Sequence, residues 1–462
     1  MQIWNLSELN SALKEVTVKS NLPLSDLQID QLVIDSRKST NCGIFLALKG
    51  DNNDGHKFLD QAIANGARTI IIDNPDYFKE SNSCNYFLVK DSLDALYEIA
   101  KFSRQRSKAK IIAVTGSVGK TSVKEMLKLV FSSQGKTFAT QGNYNNHIGL
   151  PLCLANFADD HDFGIFEIGM NHSGEIEPLS KILKPDLAII SNVYPVHIEN
   201  FENENGIALA KSEIFAGVPE DGYALINQDS QHFETVKSQA QRSQISNIVT
   251  FGNDQLSDFQ ITDFTLGDNS SVTAKLNQQN QSITYDLPTP QESLIKNSII
   301  CLAALTIFNC DVALGMKALN QISAVEGRGN VVKASLAGKK VTIIDDSYNA
   351  NAFSMINGIN HSLSLKPGKN RLILALGDML ELGDQSSNLH QKVLNHLEDK
   401  SFDDLILVGK EMTKAANDLG LKSFQSFPDS LSAKDYILQN IQDNDLLYVK
   451  GSRGIKMETI FK

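Results

Sequence analysis

Cysteine, positive charge and long apolar runs are all scarce in this chain, and each shortage argues against a class of protein. The five cysteines among 462 residues are scattered and form no Cys-x-x-Cys pair, so neither a disulfide framework nor a zinc site is expected. The net charge of −11 disfavours nucleic acid and anionic membranes as partners. No apolar run approaches transmembrane length, and the first residues lack the apolar core of a signal peptide. We therefore expect a cytoplasmic protein with reduced thiols and no membrane insertion.

The length of the chain and its pattern of apolar runs predict three α/β units. A chain of 462 residues with 42% apolar content exceeds what one hydrophobic core accommodates. Short strands and one helix are expected in residues 1–90. Residues 91–321 alternate strands with helices, which predicts a mainly parallel sheet, and residues 271–287 predict an appended antiparallel hairpin. Residues 322–462 repeat the strand–helix alternation and predict a second parallel, Rossmann-like unit.

The most informative motif predicts a phosphate-binding loop. Apolar residues 111–114 predict a buried strand and residues 123–131 a helix, with a Gly-rich turn between them. Backbone N–H groups and the helix end would hold a polyphosphate, Lys120 would reach its terminal phosphates, and Thr121 would bind Mg²⁺. The residues of the predicted loop are Thr115, Gly116, Ser117, Val118, Gly119, Lys120 and Thr121. The usual motif has glycine where this chain has Val114, and a chance Gly-Lys-Thr turn is the alternative.

Three further residues are candidates for binding metal ions or phosphate. Glu167 ends an apolar strand, where a carboxylate is a natural Mg²⁺ ligand, although a strand-end Glu paired with a lysine has the same pattern. His197 follows the next strand, where it would serve a metal or a phosphate or would simply pack. Lys211 lies in a helical pattern and, by itself, is typical of a solvated lysine paired with a nearby Glu.

Other polar segments allow both a binding and a structural interpretation. The segment from Asp35 to Arg37 suits a diphosphate, but this pattern is more often a turn with a solvated arginine. Gly142–Pro151 is predicted to be a loop whose asparagines recognise polar substrate groups or form turns. Arg328, between two glycines, would close over a nucleotide phosphate or belong to a linker.

Taken together, the motifs resemble those of the Mur ligases, ATP-dependent amide-bond-forming enzymes of peptidoglycan synthesis. The resemblance extends over all three segments of the chain, and the joint occurrence of its motifs is more specific than any one of them. The motifs are Thr115–Thr121, Gly142–Pro151, Glu167–His172, His197 with Lys211, Asp345–Asn351, Gly377–Gly383 and Val449–Arg453.

The resemblance implies a fold, a reaction and a biological role. The expected domains are a UDP-sugar-binding N-terminal domain, a central ATP-binding domain and a C-terminal Rossmann-like domain. The implied reaction joins D-alanyl-D-alanine to UDP-N-acetylmuramoyl-tripeptide through an acyl phosphate, with conversion of ATP to ADP and with Mg²⁺ as cofactor. A monomeric enzyme of cell-wall synthesis, and hence of cell shape and cell division, is expected.

The resemblance also implies roles for individual residues. Thr121 and Glu167 are expected to bind a first Mg²⁺, and His197 and a carbamylated Lys211 a second one. The residues expected at ATP are Lys120, Asn297, Arg328 and Asp346, together with the loop Thr115–Thr121. The residues expected at the acceptor substrate are Ser36, Arg37, Asn143, Asn145, Asn146 and His172.

One stretch of the chain departs from the family, and several rival functions stay open. Relatives usually carry Gly-x-His-Asn before the helix that contains Asn297, whereas residues 291–294 here are Gln-Glu-Ser-Leu, so the usual adenine contacts do not carry over. The rival enzymes are the sister ligase that adds the third amino acid, a folylpolyglutamate-type ligase, and a P-loop kinase or GTPase. A non-catalytic nucleotide-sugar-binding protein is the remaining alternative.

Overall fold

The N-terminal part of the chain forms a five-stranded α/β sheet. The computed structural model describes residues 3–50, 53–267, 269–322, 326–366, 368 and 370–462. The strands in this part are β1 Trp4–Asn5, β2 Thr17–Asn21, β3 Gln28–Ile29, β4 Leu32–Val33, β5 Ile44–Leu46, β6 Thr69–Ile72 and β7 Asn85–Val89, and its helices are α1 Leu6–Ala12 and α2 Leu59–Ala64. Strands β4 to β7 are parallel neighbours, β2 adds an antiparallel edge, and β1 pairs with β3 separately.

The central part contains a nine-stranded sheet. Its strands are β8 Lys110–Thr115, β9 Thr137–Ala139, β10 Phe163–Glu167, β11 Leu187–Ile190, β12 Tyr223–Asn227, β13 Asn247–Gly252, β14 Phe259–Thr265, β15 Ser270–Leu276 and β16 Gln281–Leu287. Its helices are α3 Ser92–Arg106, α4 Lys120–Ser132, α5 Gly149–Ala155, α6 Ile176–Leu183, α7 Glu204–Ser212, α8 Phe233–Arg242, α9 Glu292–Ile307 and α10 Val312–Ala318. The strand order is β16-β15-β14-β13-β12-β11-β8-β10-β9. Only β15 pairs antiparallel with its neighbours, β14 and β16, which confirms the predicted hairpin of β15 and β16.

The C-terminal part forms a six-stranded sheet with the order β17-β18-β22-β19-β20-β21. Its strands are β17 Asn330–Leu336, β18 Lys339–Asp346, β19 Leu372–Gly377, β20 Asp404–Val408, β21 Gln425–Phe427 and β22 Leu446–Lys450, and its helices are α11 Ala352–Ser364, α12 Ser386–Asn395, α13 Lys410–Asp418 and α14 Ser430–Asn440. All strands are parallel except β17, which pairs antiparallel with β18.

Burial explains why the central strands are continuous apolar runs. Strand β8 lies between β10 and β11, and Ile111 to Val114 have no exposed surface. A strand covered by helices on both faces needs apolar residues at every position rather than at alternate ones. The carboxyl ends of β8, β10 and β11 therefore meet at one edge of the sheet, and the polar motifs that follow them meet there too.

The N-terminal and central parts share a core. The indole nitrogen of Trp4 donates to the backbone oxygen of Ala155 at 2.7 Å, and Leu152, Ala155 and Ala158 pack in the same apolar cluster as Trp4. Because α3 joins this cluster while it also packs on α5 and α6, the domain boundaries at residues 90 and 321 stay predictions.

The predicted loop Gly142–Pro151 is partly wrong, because its last residues begin helix α5. All residues of Gly149–Ala155 are buried, and the side-chain oxygen of Asn146 accepts from the backbone N–H of Gly149 at 2.8 Å. Proline is tolerated in the first turn of a helix, where its missing N–H would have no intrahelical acceptor. Within the described part of the chain, no helix is both long enough and apolar enough to cross a bilayer.

Candidate active site

The predicted phosphate loop connects the end of β8 to the start of α4. A Cβ on Gly116 would lie 2.0 Å from the Ser191 hydroxyl oxygen, and Gly119 has φ +77°, so both positions require glycine. Helix α4 begins at Lys120 without a side-chain cap, which leaves its first N–H groups available for an anion. Val114 lies within β8, so the glycine that the usual motif has at this position is not needed.

The loop is held against the segment that follows β11. The Ser117 hydroxyl donates to the Tyr194 carbonyl and accepts from the Tyr194 N–H, both at 2.8 Å. The Val118 N–H donates to the side-chain oxygen of Asn192 at 2.9 Å, and the Asn192 amide donates back to the Val118 carbonyl. These paired bonds fix the loop before any ligand binds, so little ordering entropy is lost on binding.

Lys120, Thr121 and Glu167 meet at this loop, as predicted. The Thr121 hydroxyl donates to one Glu167 oxygen at 2.8 Å, and the side-chain amide of Asn145 donates to the other at 2.8 Å. The alternative in which Glu167 pairs with a lysine is therefore wrong. The Lys120 ammonium donates to the Gly116 carbonyl at 2.7 Å. Burial lowers the pKa of Lys120, Glu167 opposes that effect, and Arg328 adds to it.

A further layer that the sequence analysis missed holds Glu167 in place. The fully buried Lys124 donates to the Thr140 carbonyl at 2.8 Å, and the Thr140 hydroxyl accepts from the Glu167 backbone N–H at 3.1 Å. The spacing from Lys120 to Lys124 places both lysines on one side of α4, and that spacing was the one signal in the sequence that could have indicated this layer. These contacts orient the carboxylate toward the loop.

Lys211 contradicts the expectation of a solvated lysine. It lies on α7 with 2% of its surface exposed, and no acceptor for its ammonium exists among the described residues. Burial lowers its pKa well below the usual value, and the nearby Lys120 lowers it further. Burial without a neighbouring anion thus weakens the usual preference of this amine for its protonated form.

His197 reaches the same region from the segment after β11. Its backbone has φ +54°, a left-handed conformation that is uncommon outside glycine. Its Nδ1 forms a short contact with the carboxylate of Glu381, which belongs to the C-terminal part and also has a left-handed backbone, with φ +62°. Burial lowers the pKa of His197, and the Glu381 carboxylate opposes this shift.

The side chains at this edge of the central sheet supply some of the oxygen donors that Mg²⁺ would need. Among the described residues, no group of three or more His, Cys, Asp and Glu side chains gathers around one point. Glu167 and Thr121 supply the oxygen donors that Mg²⁺ prefers. A second ion would need another oxygen donor, and the unpartnered amine of Lys211 would supply one only as a carbamate.

A cavity of about 450 Å³ extends from the loop into the C-terminal part. Its lining includes Asn297, which lies close to Gly119, and Arg328, whose guanidinium stacks 4.4 Å from the Tyr348 ring centre. Asp346 also lines the cavity and pairs with Lys450 at 2.8 Å. Burial raises the pKa of Asp346, and Lys450 opposes that shift. Of the predicted ATP residues, all but Thr115 and Gly116 therefore border one continuous cavity.

The residues predicted to bind the acceptor substrate lie further from the phosphate loop. The Ser36 hydroxyl donates to Gln61 at 2.7 Å, while the exposed Arg37 makes a two-fold pair with Asp35 and holds the pKa of that carboxyl at about 2. Asn143 and His172 are exposed. The Asn146 side-chain oxygen caps α5, whereas Asn145 is the predicted asparagine that bonds to Glu167.

Lys38 links the N-terminal candidates to the Asn-rich loop. Its ammonium lies 3.4 Å from the Tyr144 hydroxyl and 5.9 Å from the centre of that ring. The structure thus brings the two groups of candidate substrate residues beside each other, although it places neither Ser36 nor Arg37 at the phosphate loop.

Comparison with known families matches three stretches of the chain to Mur ligase domains. The Mur ligase family catalytic domain matches residues 28–104. The Mur ligase middle domain matches residues 114–305, and the Mur ligase glutamate ligase domain matches residues 327–453. These stretches include the phosphate loop, Glu167, Lys211 and Arg328.

Individual proteins resemble the chain over its whole length. The UDP-N-acetylmuramoyl-tripeptide–D-alanyl-D-alanine ligase of Rickettsia prowazekii is 33% identical over 468 residues, which are 99% of each chain. The crystal structure of MurF from Acinetobacter baumannii is 28% identical with a TM-score of 0.85 and covers 100% of this chain and 98% of its own. MurF from Thermotoga maritima in complex with ADP is 25% identical with a TM-score of 0.78, over 93% of this chain and 96% of its own.

Proposed function

The chain belongs to the Mur ligase family, and on that premise we propose that it joins D-alanyl-D-alanine to UDP-N-acetylmuramoyl-tripeptide, with ADP formed from ATP. The observation that carries the proposal is the meeting of the phosphate loop with Glu167, His197 and the unpartnered amine of Lys211 at one edge of the central sheet. In this proposal ATP binds at this edge of the central sheet, and the reaction is a step of cell-wall synthesis.

The proposed reaction has two chemical steps. A carboxylate oxygen of the tripeptide attacks the γ-phosphorus of ATP, the bond from that phosphorus to the β,γ-bridging oxygen breaks, and ADP leaves. The amine of D-alanyl-D-alanine then attacks the acyl carbon, loses a proton, and expels phosphate. Phosphoryl transfer is mainly a matter of positioning and charge stabilisation. Lys120 and Arg328 spread the developing negative charge.

We further propose that Thr121 and Glu167 bind one Mg²⁺, and that His197 and a carbamylated Lys211 bind a second. When bound, Mg²⁺ neutralises phosphate charge and holds the reacting oxygens in line. The lowered pKa of Lys211 supports carbamylation, because only an unprotonated amine attacks CO₂ and places a carboxylate on its nitrogen.

The acceptor would lie across the N-terminal and central parts. Ser36 and Arg37 would bind its diphosphate, while Asn143, Asn145, Asn146 and His172 would line the route toward the loop. Arg37 supports this role because its guanidinium is exposed and the pairing with Asp35 is exchangeable for a phosphate. A cytoplasmic monomer is the proposed form.

The test offers the purified protein ATP, Mg²⁺, UDP-N-acetylmuramoyl-tripeptide and a panel of amines, and measures the ADP formed with each amine. We expect ADP only when the acceptor and D-alanyl-D-alanine are both present. Hydrolysis without an amine would favour a kinase or GTPase. Dependence on a single amino acid would favour the sister ligase or a folylpolyglutamate-type ligase, and UDP-sugar binding without ADP would favour a non-catalytic binding protein.

A variant at the loop makes the test specific to this site. Lys120→Ala is expected to lower the rate of ADP formation by about 10²–10³, because it removes a positive charge aimed at the transferred phosphate. Lys128→Ala is the matched control, because Lys128 is an exposed lysine further along α4. Equal rates in the two variants would contradict the assignment.

A further inference from the structure

The segment that replaces the family's adenine-contact stretch is already engaged within the protein. The side-chain amide of Gln291 donates to the Gly329 carbonyl at 2.6 Å, and Glu292 pairs with Lys296 at 2.6 Å. Leu294 is buried and has no polar group to offer. Three of the four residues at positions 291–294 are thus committed elsewhere, so recognition of the base must rest mainly on other residues of the cavity.

Helix α11 of the C-terminal part presents two unpartnered polar side chains to that cavity. Asn357 and His361 lie four residues apart, on one face of the helix, and both line the cavity. Both ring nitrogens of His361 are enclosed and have no hydrogen-bond partner. The side-chain amide of Asn357 also has no partner within the described part of the chain. The enclosed, unsatisfied ring nitrogens of His361 cost free energy, which a ligand in the cavity would recover.

The packing of α11 fixes this face beside the nucleotide residues. A Cβ on Gly358 would lie 1.8 Å from the Tyr448 hydroxyl oxygen and 3.0 Å from an Asp346 carboxylate oxygen. Asn357 and His361 therefore lie within about one helical turn of Gly358, the α11 residue that packs against Asp346. The side chains of Asn357 and His361 on α11 thus line the C-terminal side of the cavity, whereas the phosphate loop lines its other side.

The walls of the cavity suit a flat aromatic ring. Phe251 and Leu266 of the central part line it, and Leu266 is 50% exposed, which is unusual for a large apolar residue. A purine base inserted here would cover apolar surface on its faces while its edge meets α11.

We propose that Asn357 and His361 form the base-recognition site for ATP in this chain and take the place of the Gly-x-His-Asn stretch that relatives carry. This inference rests on the proposed function. The asparagine amide presents a donor beside an acceptor, which matches the amino group and the adjacent ring nitrogen of adenine. A neutral imidazole supplies one more donor and one more acceptor. Burial lowers the pKa of His361 to about 4, which keeps the ring neutral at pH 7.

The experiment compares ATP with ITP, whose base carries an oxygen where adenine carries its amino group. His361→Leu and Asn357→Ala are each expected to raise KM for ATP about 10-fold and to reduce the preference for ATP over ITP, with kcat at saturating nucleotide little changed. His361→Gln keeps a donor and an acceptor and should restore part of the preference. Asn417→Ala is the control, because Asn417 is an exposed asparagine on α13 in the same part of the chain and does not line the cavity.

Two outcomes would overturn the inference. Unchanged KM for ATP and an unchanged ATP-to-ITP ratio in both Asn357→Ala and His361→Leu would show that α11 does not recognise the base. Equal effects of Asn417→Ala would show that the changes are not specific to the cavity. Direct binding of ATP to the wild type and the variants, measured by calorimetry without acceptor or amine, separates failure of this inference from failure of the proposed reaction.

Discussion

At the scale of single residues, the proposed chemistry includes a lysine whose burial lowers its pKa well below the usual value. Lys211 is buried without an anion, and this arrangement would be costly for a permanent ammonium. Replacement with alanine removes the nitrogen that would carry the carbamate. We expect Lys211→Ala to lower the rate of ADP formation by about 10²–10³, and short carboxylates such as acetate to restore part of it.

The control for this prediction is Lys181→Ala, which removes an exposed lysine paired with Glu177 on α6. Both variants are assayed across a series of acetate concentrations. If acetate fails to raise the rate of Lys211→Ala while Mg²⁺ dependence persists, the carbamate proposal is wrong.

The sequence predicted the position of Glu167 but not the state of Lys211. A strand end beside a phosphate loop places a carboxylate at the sheet edge, so local pattern sufficed for Glu167. The burial of Lys211 depends on tertiary packing, such as that of α8 against α7, which the local pattern does not contain. Its local helical pattern alone favoured a solvated lysine, which was wrong.

At the scale of secondary-structure elements, the docking of α11 depends on one glycine. Alanine in a helix interior normally stabilises it by about 0.5–1 kcal/mol relative to glycine. At Gly358 the added Cβ would meet the hydroxyl of Tyr448, which is fully buried and cannot move away. Overpacking typically costs about 1–3 kcal/mol, so we expect Gly358→Ala to lower the free energy of unfolding.

Urea unfolding of Gly358→Ala and Gly206→Ala checks the sign of this effect. Gly206 is also helical, but its added Cβ would lie 3.4 Å from the nearest Phe201 atom, an ordinary contact. The Gly206 variant should therefore be neutral or slightly stabilised. A midpoint for Gly358→Ala at or above that of the wild type would refute the close packing of α11.

Most helices and strands were predictable from the sequence, and each one that was missed has a physical reason. Buried parallel strands such as β8, β19 and β22 are nearly continuous apolar runs with little ambiguity. The edge strands β17 and β21 are mostly exposed on one or both faces, so they lack that pattern. Helix α5 was missed because Asn-rich sequence precedes it and Pro151 lies in its first turn.

At the scale of the whole molecule, three contacts join the C-terminal part to the active-site edge. Glu381 reaches His197, the rings of Tyr194 and Phe353 stack with centres 4.0 Å apart, and Gln291 bonds to Gly329. The first of these joins residues 184 positions apart, which no local pattern predicts. The contacts bring Arg328 and Glu381 to a site otherwise built by the central part.

The contact between Glu381 and His197 is the one that links the C-terminal part most directly to the proposed active site. Two residues with left-handed backbones face each other there, and such strain persists only where the surrounding structure enforces it. Removal of the carboxylate frees the His197 ring to rotate and weakens the attachment of the C-terminal part. We expect Glu381→Ala to lower kcat about 10-fold, with a smaller effect on KM for the acceptor.

Steady-state kinetics and the radius of gyration from solution scattering, with and without ATP, measure the two consequences together. Asp384→Ala is the matched control, since it removes an exposed carboxylate from the same segment that has no partner among the described residues. Glu381→Gln keeps a hydrogen-bond acceptor without the charge and should fall between the wild type and Glu381→Ala. If Glu381→Ala retains full kcat and the scattering of the wild type, the contact with His197 does not position the ring for phosphoryl transfer. Other contacts, such as the aromatic stack, Gln291 and the packing of Ile198–Asn200 against Gly383–Gln385, then hold the C-terminal part in place.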